Sequence, residues 1–235
     1  MSKIFIGLSI FTVGLTSVAF LTGYTAGDYN AATFRLRALQ QDLYRIQGSV
    51  AADPVNIQRQ KEDIEEGYGQ LEPIRQSAIR HTLTGLVATL AAIFLGSISV
   101  TYFIGTSRWC REVAEAYGMD EDIIRRSKAL KRRAFPSALI AIFASLVIAV
   151  LGAAADPGTL RPGTEKWVTP HHFVALASTF VILFCIWKQV RYISANHDII
   201  NEILEIVSRV RRENGLEDAE TTGASPTQAS ISTTD

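Results

Sequence analysis

Histidines are the residues of this chain with the widest possible chemistry, because a neutral imidazole can bind a metal ion or a haem iron. The chain has four of them, His81, His171, His172 and His197. The first three stand at the beginnings of two long apolar segments. If both segments cross a membrane, His81 and either His171 or His172 lie at the same depth, where two helices could hold a haem iron or a metal ion between them.

The neighbours of these histidines in the sequence argue against ligation. A ligating histidine usually donates its other N–H group to a carboxylate or a carbonyl. The nearest acidic residue, Glu165, precedes the apolar segment that contains His171 and His172, and no acidic residue stands near His81. We therefore expect these histidines to contact lipid headgroups or water, with no cofactor and no metal bound. Purified protein should then show no haem absorption band.

Other signs of catalysis are missing from the sequence. It contains no Gly-x-Ser-x-Gly, Walker, Gly-x-Gly-x-x-Gly or His-Glu-x-x-His motif, which argues against the familiar hydrolases and nucleotide-dependent enzymes. The two cysteines, Cys110 and Cys185, have no CxxC spacing and are too few for a disulfide framework. A formal net charge of zero implies no nucleic-acid partner. We expect a protein that is not an enzyme.

Four long segments without charged residues determine the fold class. Each is at least about 20 residues long, which at a rise of about 1.5 Å per residue crosses a hydrocarbon core of about 30 Å. We place Pro136 and Pro170 in the first turns of two of the resulting helices, where proline is tolerated. The sequence therefore predicts an all-α membrane protein with transmembrane helices at residues 4–26, 82–106, 135–154 and 168–187.

Basic residues near the ends of these spans predict their orientation, because Lys and Arg accumulate in cytoplasmic connections. Connection 107–134 and the start of segment 188–214 are rich in them, whereas connection 155–167 has few. We therefore expect both termini and connection 107–134 in the cytoplasm. Connections 27–80 and 155–167 then face outward from a plasma membrane or a bacterial inner membrane.

Connection 27–80 carries two apolar seams with helical spacing. Asp53 and Pro54 form an N-cap and a first-turn proline between them, so we expect an extramembrane antiparallel helical hairpin with a coiled-coil seam. Each arm should continue a membrane helix without a break, and Gly67 and Gly69 mark the expected bend. The seam residues are Leu36, Leu39, Leu43, Ile46 and Val50 in the first arm and Ile57, Ile64, Leu71 and Ala78 in the second.

Connection 107–134 predicts two short helices. Gly118 has the character of a residue that ends a helix, and Asp120 that of an N-cap. The second helix is basic, which suits either the orientation of the neighbouring span or contact with anionic lipid headgroups. We favour orientation, because the span needs such charges in any case. The basic residues are Arg125, Arg126, Lys128, Lys131, Arg132 and Arg133.

Segment 188–214 predicts a cytoplasmic helical extension of the fourth span. Its apolar residues keep a three-four spacing, typical of a coiled-coil seam. Residues 215–235 contain almost nothing apolar and should be disordered. The residues of the seam are Ile193, Ile200, Ile203, Val207 and Val210.

Small residues recur at four-residue spacing in the second and third spans. Such stripes allow helices to approach closely in lipid. They serve either oligomerisation or packing within the chain's own bundle, and we favour the second because four spans must pack together. The stripes consist of Ala88, Ala92 and Gly96 and of Ala141, Ser145, Ala149 and Ala153.

Three functions remain open at this point. We favour a non-enzymatic scaffold or accessory subunit of a membrane complex, whose partners are the lipid bilayer and either a second copy or another membrane protein. The first alternative is a signal transducer that senses through the hairpin and passes a helix shift across the bilayer. The second is a redox subunit that binds haem or quinone through His81 and His171 or His172.

Overall fold

Helices make up all the regular structure in the described residues of the computed structural model, which are 2–49, 53–159 and 161–216. Four of them are long and apolar enough to cross a membrane, and this confirms the predicted all-α class with four such helices. From residue 217 onward, the segment expected to be disordered lies outside the described residues, as does Val50. The α-helices are α1 (Ser2–Tyr24), α2 (Tyr29–Gln47), α3 (Pro54–Ala116), α4 (Glu121–Ala155) and α5 (Glu165–Glu213), with a 3-10 helix at Pro157–Thr159.

A turn separates α1 from α2. Gly27 has a φ of 74°, in the left-handed region that glycine enters without steric cost. Asp28 then caps α2, because its side chain accepts a hydrogen bond from the backbone N–H of Ala31 (2.9 Å). The prediction that each arm continues a membrane helix without a break is therefore wrong for α2. It is correct for α3.

Helix α3 is a single element of 63 residues, which corresponds to a length of about 95 Å. The predicted cap is confirmed, since the Asp53 side chain accepts from the N–H of Val55 (3.0 Å) and Pro54 follows it. The helix passes through Gly67 without interruption. A Cβ atom at Gly67 would lie 3.1 Å from Cδ1 of Leu36, so this glycine permits the close approach of α2.

The turn between α3 and α4 follows the predicted signals. Gly118 is left-handed (φ 60°), and the Asp120 side chain accepts from the N–H of Asp122 (2.9 Å). The two short helices predicted around this turn are instead the ends of α3 and α4. Pro136 and Pro170 lie inside α4 and α5, so placing them in first turns was wrong. A helix in a membrane bundle tolerates such prolines because neighbouring helices hold both halves in place.

The four long helices form a bundle in which α1 and α4 each pack against both α3 and α5. Helices α3 and α5 therefore lie diagonally across it. Only 22–28% of each apolar window is buried inside the chain, and large side chains such as Phe94 and Phe180 point outward. These outer faces suit a hydrocarbon environment. The main core cluster contains Phe5, Leu95, Phe103, Ala134, Ile182, Ile186 and Ile193.

The two ends of the bundle differ in construction. The end with the α3–α4 turn is termed the α3–α4 end, and the opposite one, where α4 joins α5, the α4–α5 end. At the α3–α4 end, three helices continue past the bundle and share a second apolar cluster of Cys110, Ile123, Ile199 and Ile203. Helix α5 reaches Glu213 there. At the α4–α5 end, α2 packs along the first part of α3.

Candidate functional site

Polar side chains of α3 contact polar side chains of α5, and in two such pairs the residue on α5 stands ninety positions later in the chain. Nδ2 of Asn196 donates to Oγ1 of Thr106 (3.1 Å), which stands ninety residues earlier. The rings of His81 and His171 have the same offset, and their centroids are 6.3 Å apart. Since both pairs rise together along the chain, α3 and α5 run in the same direction.

Three of the four histidines form one cluster at the α4–α5 end, termed the histidine cluster: His81, His171 and His172. His171 lies in the middle, with its ring centroid 6.3 Å from that of His81 and 6.1 Å from that of His172. The structure thus brings together the three histidines that the sequence singled out. His197 lies far along α5, one residue after the buried Asn196.

A backbone carbonyl of α1 orients His81. Nδ1 of His81 lies 3.0 Å from the carbonyl oxygen of Ala19. A carbonyl oxygen can only accept, so Nδ1 carries the proton and Nε2 bears the lone pair. This carbonyl is the supporting partner that the residues next to His81 in the sequence do not provide. It escaped notice because Ala19 and His81 belong to different helices and stand 62 residues apart.

Glycines on α1 and α4 make room for the rings of His81 and His171. A Cβ atom at Gly23 would lie 2.6 Å from Cε1 of His81, closer than any real contact allows. A Cβ atom at Gly152 would lie 3.2 Å from Cε1 of His171. Four helices therefore build this cluster: α3 and α5 supply the imidazoles, α1 supplies a carbonyl and a glycine, and α4 supplies a second glycine.

One nitrogen of the cluster is both buried and without a hydrogen-bond partner. Nδ1 of His171 is buried and has no partner among the described residues. Buried polar atoms are nearly always hydrogen-bonded, so each exception needs an explanation. No group of three or more His, Cys, Asp or Glu side chains in the described part of the chain is placed to hold a metal ion.

Asn196 lies toward the opposite end of the bundle and is fully buried. Its Nδ2 donates to the hydroxyl of Tyr102 (3.2 Å) and to Thr106, and Oγ of Ser127 donates to its Oδ1 (3.4 Å). These four residues are termed the asparagine cluster. A buried asparagine in an apolar seam typically fixes the register of helices. The hydrogen bonds of Asn196 link α5 to α3 and to α4.

Two further polar residues with the same offset in residue number, Ser99 on α3 and Gln189 on α5, lie between the two clusters along these helices. Both side chains are fully buried. Oγ of Ser99 and both amide atoms of Gln189 have no hydrogen-bond partner among the described residues. Gln189 precedes Asn196 by seven residues, about two helical turns, so both amides lie on the same face of α5.

Asn30 fixes the start of α2 to the connection between α4 and α5. Its Nδ2 donates to the carbonyl of Ala155 (2.8 Å), and its Oδ1 accepts from Oγ1 of Thr164 (2.9 Å). Two turns further along α2, a guanidinium nitrogen of Arg37 donates to the carbonyl of Pro157 (3.1 Å). Helix α2 is therefore attached to the bundle by side chains as well as by its covalent link to α1.

The basic residues of connection 107–134 lie at the α3–α4 end. Arg126 makes two hydrogen bonds to the carboxylate of Glu202 (2.7 and 2.9 Å), which raise the pKa of its guanidinium. Arg125 pairs with Asp122. An open groove of about 700 Å³ adjoins these residues between the end of α3 and the start of α4. In the described ranges, no ion pair forms at Lys128, Lys131, Arg132 or Arg133.

The small-residue stripes lie largely at the contact between α3 and α4. A Cβ atom at Gly96 would lie 2.9 Å from the side chain of Ile142 and 3.3 Å from the carbonyl of Ala138. The last member, Ala153, is exposed. Ala149 is half-buried, and the remaining members, Ala88, Ala92, Ala141 and Ser145, are buried within the chain.

Sequence reasoning missed Asn30, Gln189 and Asn196. For the two residues of α5 a signal existed, because Gln189 and Asn196 continue the three-four spacing of Ile193 and Ile203. Polar amides at such positions either fix register or bind something. Asn30 had no comparable signal, since its partners belong to a connection more than a hundred residues away.

Function can be inferred from three features. Two are the polar clusters that lie between α3 and α5 toward opposite ends of the bundle, and the third is helix α2, which is attached to the bundle. Both clusters depend on contacts between helices that are distant in sequence. Comparison with known protein families, with curated proteins and with solved structures finds no match to this chain.

Proposed function

We propose that this chain is a non-enzymatic multi-pass membrane protein, a scaffold or accessory subunit of a membrane complex. It holds a helical arm, formed by α2 and residues 54–80 of α3, outside the bilayer as a surface for a partner. The observation that carries this proposal is the continuity of α3 from Pro54 to Ala116. A helix that carries the arm and also crosses the membrane fixes the arm's position relative to the bilayer.

The contacts of α2 support a rigid arm in the form of an antiparallel hairpin. Gly27 lies beside Ile74, Leu36 beside Gly67, and the carbonyl of Leu39 accepts from Nε2 of Gln60 (3.2 Å). Residue numbers thus rise along α2 while those of its neighbours on α3 fall. The bonds of Asn30 to Ala155 and Thr164 then secure the base of the hairpin to the bundle.

The distribution of basic residues favours an arm on the outside. Lys and Arg concentrate at the α3–α4 end, where connection 107–134 and the C-terminal part of α5 lie. Positive charge near span ends faces the cytoplasm. In the proposed orientation, both termini are cytoplasmic and the arm and the histidine cluster lie on the outer side of a plasma or bacterial inner membrane.

The proposed partners are the bilayer and either a second copy of this chain or another membrane protein. Anionic lipid headgroups are a further candidate at the α3–α4 end, where Lys131, Arg132 and Arg133 adjoin the third span. Because Arg125 and Arg126 are engaged in ion pairs within the chain, this lipid contact falls chiefly to the other basic residues.

A second candidate function is signal transduction across the membrane. The continuity of α3 favours it as well, because a displacement of the arm would reach the α3–α4 end through one helix. The two functions differ in what they require of the arm. A scaffold needs one fixed position, whereas a transducer needs two positions whose populations a ligand shifts.

Photo-crosslinking in native membranes tests the scaffold function. A photoreactive amino acid at the exposed arm positions Glu62 and Glu66 should give one discrete adduct, because successive turns of one helix face meet the same partner. The same group at the lipid-facing position Phe94 serves as the matched control and should give none. The absence of any adduct from the arm would contradict the proposal.

Cysteine chemistry tests the orientation and the hairpin. In intact cells, thiols introduced at Glu205 and near Arg126 should be protected from an impermeant reagent, while one at Thr159 is labelled. The reverse pattern would overturn the orientation. A cysteine pair at Ile46 and Ile57 should oxidise within one molecule. Cross-links only between molecules would instead indicate an intermolecular coiled coil.

A further inference from the structure

The histidine cluster has the features of a binding site. The proposed scaffold function does not use it. It contains two neighbouring imidazoles, His81 and His171, which lie between helices of the bundle with their planes at an angle of 61°. One imidazole has a fixed tautomer and the other has a buried nitrogen without a partner. Histidines that only contact water at a membrane surface need neither a supporting carbonyl nor glycines that clear space for their rings.

We propose that His81 and His171 bind a first-row transition-metal ion of the Zn²⁺ or Cu²⁺ class, with His172 at the rim of the site. Neutral imidazole is a ligand that suits these ions. An ion bonded at about 2.0–2.1 Å to one nitrogen of each ring would place the two centroids roughly 5 to 6.5 Å apart, depending on the bond angle. The observed separation of 6.3 Å lies at the wide end of this range, where the two nitrogens stand on nearly opposite sides of the ion, as in the tetragonal coordination of Cu²⁺. A tetrahedral Zn²⁺ angle would bring the centroids to about 5 Å, so the rings fit Cu²⁺ better than Zn²⁺.

The hydrogen bond to Ala19 supplies what a metal-binding histidine needs from its surroundings. Ligating imidazoles usually donate their second N–H to a carboxylate or a backbone carbonyl, which fixes the tautomer and the ring orientation. Donation from Nδ1 of His81 to the Ala19 carbonyl leaves Nε2 as the ligand atom. A metal bond to His171 would likewise give its unpartnered ring a polar partner.

The glycines determine which side chains could occupy the neighbouring positions. Any side chain at Gly23 would meet the His81 ring, and any at Gly152 would meet the His171 ring. By contrast, Gly14 on the same helix α1 has nothing within 4 Å of the position of a Cβ atom. A methyl group at Gly23 would therefore displace the His81 ring, whereas one at Gly14 would disturb nothing.

The protein supplies two principal ligands, because no three ligating side chains converge among the described residues. The other coordination positions of the ion are therefore open to water or to an external ligand. A structural metal site has all its coordination positions filled by the protein. A site with open positions, such as this one, can instead exchange the ligands that fill them.

The full chain, purified in detergent with an affinity tag that contains no histidine, tests this proposal by titration with Cu²⁺ and with Zn²⁺. The wild-type protein should bind one equivalent of Cu²⁺, and bind Zn²⁺ less tightly. His81→Gln and His171→Ala should each weaken binding by more than the roughly 10–100-fold typical of losing a supporting partner. His197→Ala, the matched control, should bind like wild type.

His81→Gln keeps the comparison valid if other variants fold poorly, because a glutamine amide can still donate to the Ala19 carbonyl. Gly23→Ala should weaken binding, and its control Gly14→Ala should not. Electron paramagnetic resonance of the Cu²⁺ complex should detect at least two coordinated nitrogens in wild type and one fewer in His81→Gln.

Two results would overturn the proposal. Wild-type protein that binds neither ion, or a His81→Gln variant that binds as tightly as wild type, would show that the cluster is not an ion site. A reduced-minus-oxidised haem band that is stoichiometric and disappears in His81→Ala would assign these ligands to a haem instead. Because no arm contact enters these measurements, their outcome is independent of the proposed scaffold function.

Discussion

In both the histidine cluster and the asparagine cluster, a residue of α3 contacts the residue of α5 that stands ninety positions later. The two clusters differ in their hydrogen bonding. Asn196 has three side-chain partners, Tyr102, Thr106 and Ser127, and no amide atom is left over. In the histidine cluster, Nδ1 of His81 bonds to the Ala19 carbonyl, whereas the buried Nδ1 of His171 has no partner among the described residues. The asparagine cluster is therefore complete within the chain, and the histidine cluster is not.

This difference separates a structural role from a binding role. A buried polar network whose members are all paired stabilises one arrangement of the helices. A buried polar atom without a partner weakens the fold unless something else binds to it. We therefore assign register to the asparagine cluster and ligand binding to the histidine cluster. Substitution of a paired buried group should therefore lower the stability of the protein, whereas substitution of an unpaired buried group should not.

The largest effect is expected at the asparagine cluster. Asn196→Leu leaves Tyr102 and Ser127 without their buried partner, and we expect the free energy of unfolding to fall by about 2–4 kcal/mol. Denaturant unfolding in detergent measures this loss. Asn201→Leu, an exposed position on the same helix, is the control and should change stability by less than about 0.5 kcal/mol. Equal effects of the two variants would remove the basis for the structural role.

Gln189 should respond in the opposite direction. Gln189→Met removes two buried amide atoms that have no partners and preserves the length of the side chain. We expect the free energy of unfolding to rise by about 1–2 kcal/mol, because the cost of burying the unpaired amide disappears. The same unfolding measurement decides. A loss of stability would mean that a bound water or ion pairs with this amide.

Within the histidine cluster, the rings of His81 and His171 should differ from each other. In metal-free protein, His81→Leu loses the hydrogen bond to Ala19 and should lower the free energy of unfolding by about 1 kcal/mol. His171→Leu loses no hydrogen bond and should leave it unchanged or slightly higher. Thermal unfolding with a chelator present makes this comparison. Similar losses in both variants would indicate that His171 has a partner after all.

The smallest effect is expected for the exposed pair of Arg126 and Glu202, although its distances are short (2.7 and 2.9 Å). Ion pairs at a solvated surface contribute about 0.2–1 kcal/mol because water and salt screen them. A double-mutant cycle with Arg126→Gln and Glu202→Gln should give a coupling energy in that range, decreasing at high salt. A coupling well above it would mean that this pair contributes to register as Asn196 does.

The sequence predicted the elements of this fold better than their contacts. Long gaps between charged residues predicted four helices that are long and apolar enough to cross a membrane. Local cap signals at Asp53, Gly118 and Asp120 were correct because capping depends on neighbouring residues. The prediction that helices begin just before Pro136 and Pro170 was wrong, because both prolines lie inside longer helices. A local rule about proline does not include the packing that keeps both sides of the proline helical.

The candidate site was visible in the sequence only in part. The histidines could be identified from their positions at span ends, but the evidence against ligation rested on the absence of a supporting group near His81. That group is the Ala19 carbonyl, and whether it reaches His81 depends on how α1 packs against α3. The roles of Gly23 and Gly152 depend on the same packing. A single sequence contains no information on these distances.

A distance measurement between spin labels tests most directly whether the arm is a fixed extension of the bundle, on which the scaffold function depends. Labels at Glu62 in the arm and at Glu165 at the start of α5 should give one narrow distance distribution in lipid. Asn30→Ala should broaden it, and Asn56→Ala, an exposed position in the arm, should not. Two separate distances in the wild-type protein would contradict a fixed arm and favour the signal transducer.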